Sequence, residues 1–152
     1  MNLTQVLQSR CVRVPLQGKD KSSAIAELVG ILDANKMLLN KDVALQAVLA
    51  REQTKSTGIG SGIAIPHGKC TAVKELVIAM GIAPQAIDFN SVDNKPVSII
   101  ILLISPVDQT GPHIQALAKI SRLLLDETLR NKLTRAGSAE EVFELLTNKE
   151  NE

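Results

Sequence analysis

Two short, continuous apolar runs constrain the fold of this chain more than any other feature. They are residues 76–80 and residues 97–104, and the second contains a single polar residue, Ser98. Runs of this length without polar alternation are typical of strands that are buried on both faces of a sheet. Both are much shorter than the roughly 20 residues that a membrane-spanning helix requires. The runs therefore predict the buried centre of a sheet, with a turn at residues 93–96 between them.

Segments with helical periodicity lie on both sides of these runs. The first begins near Ser23, where Asp20 is among the possible caps, and Asn40 caps a second helix that ends at about residue 51 or 53. Pro112 lies in the first turn of a third helix, and a capping box that begins at Ser138 opens the last one. The predicted apolar faces are Ile25, Leu28, Val29 and Leu32 on the first helix, Ile114, Leu117, Ile120, Leu123 and Leu124 on the third, and Val142, Phe143, Leu145 and Leu146 on the last.

This interleaving of helices and strands predicts an α/β fold. We expect residues 1–152 to form a single layered domain with a mixed central sheet flanked by helices, although the sequence does not give the strand order. Cys11 and Cys70 are far apart and form no C-x-x-C pair, so we expect two free, buried thiols.

Composition narrows the classes of partner. The formal net charge is +1 and the charges are interspersed, so we expect neither nucleic-acid binding nor direct membrane insertion. Phe89 and Phe143 are the only aromatic residues, which also argues against base stacking. The N-terminus has no secretory signal pattern, and we expect a cytoplasmic protein with protein partners.

The chemistry-bearing residues gather around a glycine-dense segment, residues 55–69, with the sequence KSTGIGSGIAIPHGK. The only two histidines are His67, in this segment, and His113, in the first turn of the predicted third helix. The glycine spacing matches neither GxxxxGK[ST] nor GxGxxG, so no nucleotide site is implied. Two histidines without spaced Cys, Asp or Glu partners also predict no metal site, and we expect no cofactor.

A neutral imidazole is a competent nucleophile near neutral pH and can hold a phosphoryl group. Phosphoryl transfer then requires positioning and donors around the phosphoryl oxygens, which backbone N–H groups can supply. Arg51 could add a bidentate contact, and Lys69 could add a charge. His113 at a helix N-terminus would have a lowered proton affinity, so it could stay neutral and assist His67.

Residues 51–52 and 56–68 resemble the phosphorylation-site signature of enzyme IIA domains of the fructose, mannitol and nitrogen-regulatory type. Residues 106–122, which include His113, resemble the second histidine segment of that family. The resemblance extends over essentially the whole chain and is greatest to the free-standing nitrogen-regulatory type, which Asp108, Gln109 and Thr110 also resemble.

The resemblance implies a phosphotransferase component that forms a phosphohistidine. His67 would be the phosphoacceptor through Nε2, with His113 assisting and Arg51 contacting the phosphate. Thr57, Gly58, Gly60 and Gly62 would form the phosphoryl loop. The donor would be the histidine-containing phosphocarrier protein, and the phosphorylation state would control a regulated target protein.

Three alternatives remain at this point. A sugar-transport enzyme IIA, of the fructose or mannitol type, would pass the phosphoryl group to a cysteine of an enzyme IIB. A binding-only regulatory module would keep the fold without phosphotransfer. A metal-dependent hydrolase that uses the two histidines is disfavoured because carboxylate ligands are missing.

Overall fold

The computed structural model describes residues 2–152 and contains six strands and six α-helices within that range. The strands are β1 (Val12–Arg13), β2 (Gly58–Gly60), β3 (Ile63–Ala64), β4 (His67–Cys70), β5 (Val77–Ile87) and β6 (Val97–Pro106). The helices are α1 (Leu3–Val6), α2 (Lys21–Ala34), α3 (Lys41–Thr54), α4 (Thr110–Leu123), α5 (Glu127–Thr134) and α6 (Ala139–Glu150), and a 3₁₀ turn occupies Ser9–Cys11.

The strands form one mixed sheet in the order β1-β5-β6-β3-β2, which confirms the predicted mixed sheet with flanking helices. The first apolar run covers the start of β5, which continues to Ile87, and the second forms most of β6. The two strands pair antiparallel at the centre of the sheet, with Met80 opposite Ile101. On its other edge β6 pairs in parallel first with β3 and then with β4. The long strand β6 therefore organises the sheet, since it pairs with β3, β4 and β5.

The helix caps agree closely with the sequence prediction. Asp20, Asn40 and Ser138 each accept a hydrogen bond from a backbone N–H in the first turn of their helix. The predicted capping box at Ser138 is only half formed, because the Glu141 carboxylate accepts from the Gly137 amide instead of the Ser138 amide. The helix boundaries therefore follow from local side-chain chemistry.

The predicted apolar face of α4 is wrong at one position. Ile114 is 59% exposed, whereas the residues of α4 that are buried against the sheet are His113, Ala116, Ile120 and Leu123. These four have the spacing i, i+3, i+7, i+10 of a single helix face. The helix is thus rotated so that a histidine takes a place that an apolar residue was expected to fill.

The hydrophobic core joins both faces of β5 and β6 to the helices in one continuous cluster. On the last helix Val142 and Leu146 are fully buried and Leu145 is partly buried against the cluster, whereas Phe143, predicted on the same face, is only partly buried and is not one of the residues that pack against the cluster. Cys11 and Cys70 are free and buried, as predicted. No helix within residues 2–152 is long and apolar enough to cross a bilayer.

Candidate functional site

His67 is the first residue of β4 and lies opposite Leu103 of β6. Its side chain is partly buried, and Nδ1 lies 2.7 Å from the backbone carbonyl oxygen of Ile65. A carbonyl oxygen only accepts hydrogen bonds, so in the neutral ring Nδ1 carries the proton and Nε2 carries the free lone pair. The backbone thereby selects the tautomer whose nucleophilic nitrogen is Nε2.

His113 lies in the first turn of α4 and is 6% exposed. Its Nδ1 is 2.6 Å from the hydroxyl oxygen of Ser105, a fully buried residue of β6. The centroids of the His67 and His113 rings are 5.4 Å apart, and the ring planes are inclined at 60°. The structure therefore brings together the two histidines that the sequence singled out, although 46 positions separate them along the chain.

Both imidazoles are held neutral near pH 7. The pKa of His113 is lowered to about 4, mainly by desolvation and in smaller measure by the neighbouring His67 and Lys69. The predicted direction is confirmed, but the main cause is burial and not the helix N-terminus that the sequence suggested. Desolvation also lowers the pKa of His67, an effect that its hydrogen bond to Ile65 opposes and that the charge of Arg51 reinforces.

A cavity of about 370 Å³ opens beside His67. Arg51, Thr57 and Gly58 line it together with apolar side chains. Its full lining is Arg51, Lys55, Ser56, Thr57, Gly58, Ile59, Ile65, His67, Val92, Leu117 and Ser121. The cavity therefore brings together an imidazole, a guanidinium group and two positions of the predicted phosphoryl loop.

The two cations predicted near the site differ in position. Arg51, in the last turn of α3, donates from Nη1 to the carbonyl oxygen of Lys55 at 2.8 Å, which leaves further guanidinium N–H groups for a ligand. Lys69 lies on β4 beyond His67, where its Nζ donates to the Thr110 hydroxyl at 3.2 Å. Arg51 lines the cavity and Lys69 does not.

The glycine-dense segment divides into two parts. Gly58 lines the cavity, whereas Gly60 and Gly62 belong to the turn between β2 and β3 and do not line it. Both have positive φ, +97° and +79°, which that turn requires and which other residues rarely adopt. The turn conformation alone accounts for both glycines, so their assignment to the phosphoryl loop stays a prediction.

The residue that sequence reasoning missed is Glu52, which is 6% exposed. Its carboxylate accepts hydrogen bonds from both the amide and the hydroxyl of Thr57, and it forms an ion pair with Lys21 at 3.1 Å. Glu52 thus ties the end of α3 to the cavity-lining segment and to α2. A signal was present in the sequence, since Glu52 adjoins Arg51 in the resembling segment.

Among residues 2–152 there is no group of three or more His, Cys, Asp or Glu side chains placed to hold a metal ion. The comparisons with known proteins agree on one family. The family model described as phosphoenolpyruvate-dependent sugar phosphotransferase system, EIIA 2, matches residues 5–149.

Individual relatives cover nearly the whole chain. The nitrogen regulatory protein of Escherichia coli (strain K12) is 36% identical over 153 residues, which cover 99% of this chain and 92% of the relative. The fructose-specific EIIA component of Haloferax volcanii is 36% identical over 127 residues, which cover 83% and 82%. The crystal structure of nitrogen regulatory protein IIA-Ntr from Neisseria meningitidis superposes with a TM-score of 0.86 at 30% identity, covering 93% of this chain and 97% of that one.

Proposed function

Since this chain belongs to the EIIA 2 family of the phosphoenolpyruvate-dependent sugar phosphotransferase system, we propose that it carries a phosphoryl group on Nε2 of His67. The single observation that supports this assignment best is the hydrogen bond from His67 Nδ1 to the Ile65 carbonyl oxygen. That bond leaves the Nε2 lone pair as the only nucleophilic site of the ring.

The transfer step balances without a cofactor. Nε2 of His67 attacks the phosphorus of a phosphohistidine on the donor, the new N–P bond forms as the donor's N–P bond breaks, and the donor nitrogen keeps the electron pair. Positive charge develops on the His67 ring as the bond forms, and the Ile65 carbonyl dipole stabilises it through Nδ1–H. No proton has to leave His67 before the attack, because the ring is already neutral.

Arg51 and His113 would stabilise the phosphoryl oxygens. Arg51 lines the same cavity as His67 and its charge reaches the His67 ring. A guanidinium donates two parallel hydrogen bonds to phosphate oxygens, which is where charge lies in the transition state. His113 stays neutral, so it offers an N–H donor without competing as a second cation.

The partners follow from the same step. We propose the histidine-containing phosphocarrier protein of the cytoplasm as donor and a regulated target protein as the reader of the phosphorylation state. This nitrogen-regulatory assignment is supported by the match to nitrogen regulatory proteins over 99% of the chain. A sugar-transport role, with a cysteine of an enzyme IIB as the next acceptor, is the second candidate, because a fructose-specific EIIA component is equally identical over a shorter span.

The test is phosphorylation of the purified chain with ³²P-labelled phosphoenolpyruvate, enzyme I and the phosphocarrier protein. We expect stoichiometric, acid-labile label on wild type and none on His67→Gln, and NMR of the phosphorylated ring should place phosphorus on Nε2. His113→Gln is the matched control, since it removes the other imidazole and should slow labelling without abolishing it.

Equal labelling of His67→Gln and wild type would refute the assignment. A wild-type chain that takes no label, yet binds the same target as the His67→Gln variant, would instead favour the binding-only module. Transfer of the label to a purified enzyme IIB, and not altered binding to a regulatory target, would favour the sugar-transport role.

A further inference from the structure

Ser105 has a single hydrogen-bond partner within the described part of the chain, Nδ1 of His113 at 2.6 Å. The serine is fully buried near the end of β6, opposite Lys69 of β4. Both groups can donate or accept, so two proton arrangements are compatible with the distance. Either the Ser105 hydroxyl donates to Nδ1, or Nδ1–H donates to the hydroxyl oxygen.

The two arrangements differ in whether the hydroxyl proton of Ser105 has an acceptor. If Nδ1–H donated to Ser105, the hydroxyl proton of a fully buried side chain would have no acceptor among residues 2–152. The large majority of buried hydroxyl groups avoid this state, because their hydrogen bond to water has been lost and nothing replaces it. If the hydroxyl donates to Nδ1 instead, the serine proton is satisfied and the proton of the neutral ring lies on Nε2.

We propose that Ser105 is a positioning residue that donates to Nδ1 of His113 and keeps the ring proton on Nε2, from which it is donated to a phosphoryl oxygen on His67. The inference rests on the proposed function of His67. It assigns opposite tautomers to two rings whose centroids are 5.4 Å apart. His67 has its proton on Nδ1 and attacks through Nε2, whereas His113 has its proton on Nε2 and donates it.

Two features of the site support this assignment of opposite tautomers. His113 remains neutral at physiological pH, so it has one ring proton only and the choice of nitrogen decides whether it is a donor. Ser105 lies on the same strand that pairs with β4, which begins at His67. The strand that positions the nucleophile therefore also fixes the proton of its neighbour.

The first experiment measures the tautomer directly in the full-length protein. Long-range ¹H–¹⁵N correlation spectra at pH 7.5 distinguish protonated from unprotonated ring nitrogens, and the His67→Gln variant assigns the remaining ring to His113. We expect unprotonated Nδ1 and protonated Nε2 in His113. A protonated Nδ1 on His113 in the wild-type protein would overturn the proposal, whatever the phosphotransfer assay gives.

The second experiment compares Ser105→Ala with Ser91→Ala. Ser91 is a matched control, because it is also a buried serine but its hydroxyl has no hydrogen-bond partner among residues 2–152. In Ser105→Ala we expect a mixture of both His113 tautomers and a three- to tenfold lower kcat for phosphotransfer, roughly the effect of one lost hydrogen bond, with unchanged KM for the phosphocarrier protein. Ser91→Ala should leave the tautomer and kcat as in wild type.

A folded Ser105→Ala protein with a single wild-type tautomer and wild-type kcat would contradict the role of Ser105. Failure of the proposed function gives a different pattern, since the wild-type chain would then take no label while its His113 tautomer is still the one stated. The tautomer measurement on wild type does not depend on whether the alanine variant folds.

Discussion

Acid should destabilise this protein through His113 well before its carboxylates protonate. The pKa of His113 is lowered to about 4 in the folded chain, while the ordinary value of 6.5 applies once the chain unfolds. Below pH 6.5 the unfolded chain therefore binds a proton at His113, whereas the folded chain binds it only as the pH approaches about 4. The stability contributed by neutral His113 is complete above that pH and is lost progressively as the pH falls toward 4.

The size of this loss follows from the two pKa values. Between pH 8 and pH 5 the difference in proton binding at His113 lowers the free energy of unfolding by about 2 kcal/mol. His67 acts in the same direction, because its pKa is also lowered. The carboxylates whose pKa is lowered, Asp20, Asp93 and Asp126, contribute mainly below their ordinary value of 3.8. The interval from pH 8 to pH 5 therefore reports mainly on the histidines.

Urea unfolding at pH 8, 7, 6 and 5 measures the effect. Circular dichroism is the suitable probe, because the chain has no Trp and no Tyr. The variant His113→Asn retains an acceptor for the Ser105 hydroxyl but cannot titrate. We expect the stability of wild type to fall by about 2 kcal/mol more than that of the variant over this range.

The reasoning would be refuted if the free energies of unfolding of wild type and His113→Asn changed in parallel with pH, within about 0.5 kcal/mol. An NMR titration gives an independent check, since the chain has only two histidines and each variant assigns the other ring. A midpoint near the ordinary pKa for the His113 ring would contradict its desolvation.

Three further changes test other parts of the site. Glu52→Ala removes the acceptor of the Thr57 amide and hydroxyl and should lower the free energy of unfolding by about 3 kcal/mol in urea melts, with a smaller loss for Glu52→Gln. Gly62→Ala places a side chain at φ +79° and should cost about 1 kcal/mol without changing the extent of labelling. Arg51→Lys keeps the charge but loses the bidentate fork, so the rate of labelling should fall about tenfold.

Matched controls are available for two of these changes. Gly137→Ala should cost little, because its φ is not in the left-handed range and its added Cβ would meet no atom within 4 Å. Arg10→Lys, on a different cavity, should leave the rate of labelling unchanged. Loss of labelling in a folded Gly62→Ala protein would contradict the first expectation and support a place for that glycine in the phosphoryl loop. Labelling of Arg51→Lys at the wild-type rate would argue against a bidentate contact from Arg51.

The elements that could be predicted are those whose signals are local. β5 and β6 contain the two continuous apolar runs, and α2, α3 and α6 each begin at a side chain that caps its own helix. The elements that were not predicted are α1, β1, β2, β4 and α5. Strands of two to four residues are too short to show a periodicity, and α5 buries only Leu129 and Leu133.

The candidate site could likewise be predicted only in part from the sequence. The pairing of His67 with His113 could be expected from the resemblance, but the burial of Glu52 could not, because a carboxylate is seldom buried and its partner Lys21 lies in another helix. The orientation of α4 was missed for a related reason. A reading of apolar spacing places Ile114 inside, whereas the buried face includes His113, whose polar ring is accommodated by the Ser105 hydroxyl.

The break between β3 and β4 links the fold to the chemistry. Both strands pair with β6, with Ile63 opposite Ile99 and His67 opposite Leu103, but the residues between them belong to neither strand. Pro66 has no N–H to donate, and its carbonyl oxygen accepts from the Leu103 amide, so the chain stays attached to β6 across the interruption. The Ile65 carbonyl at this break accepts instead from the His67 ring. An uninterrupted strand would place successive carbonyls in the plane of the ladder. The break at Pro66 instead lets the Ile65 carbonyl meet the ring, and this contact determines which nitrogen of His67 carries the free lone pair.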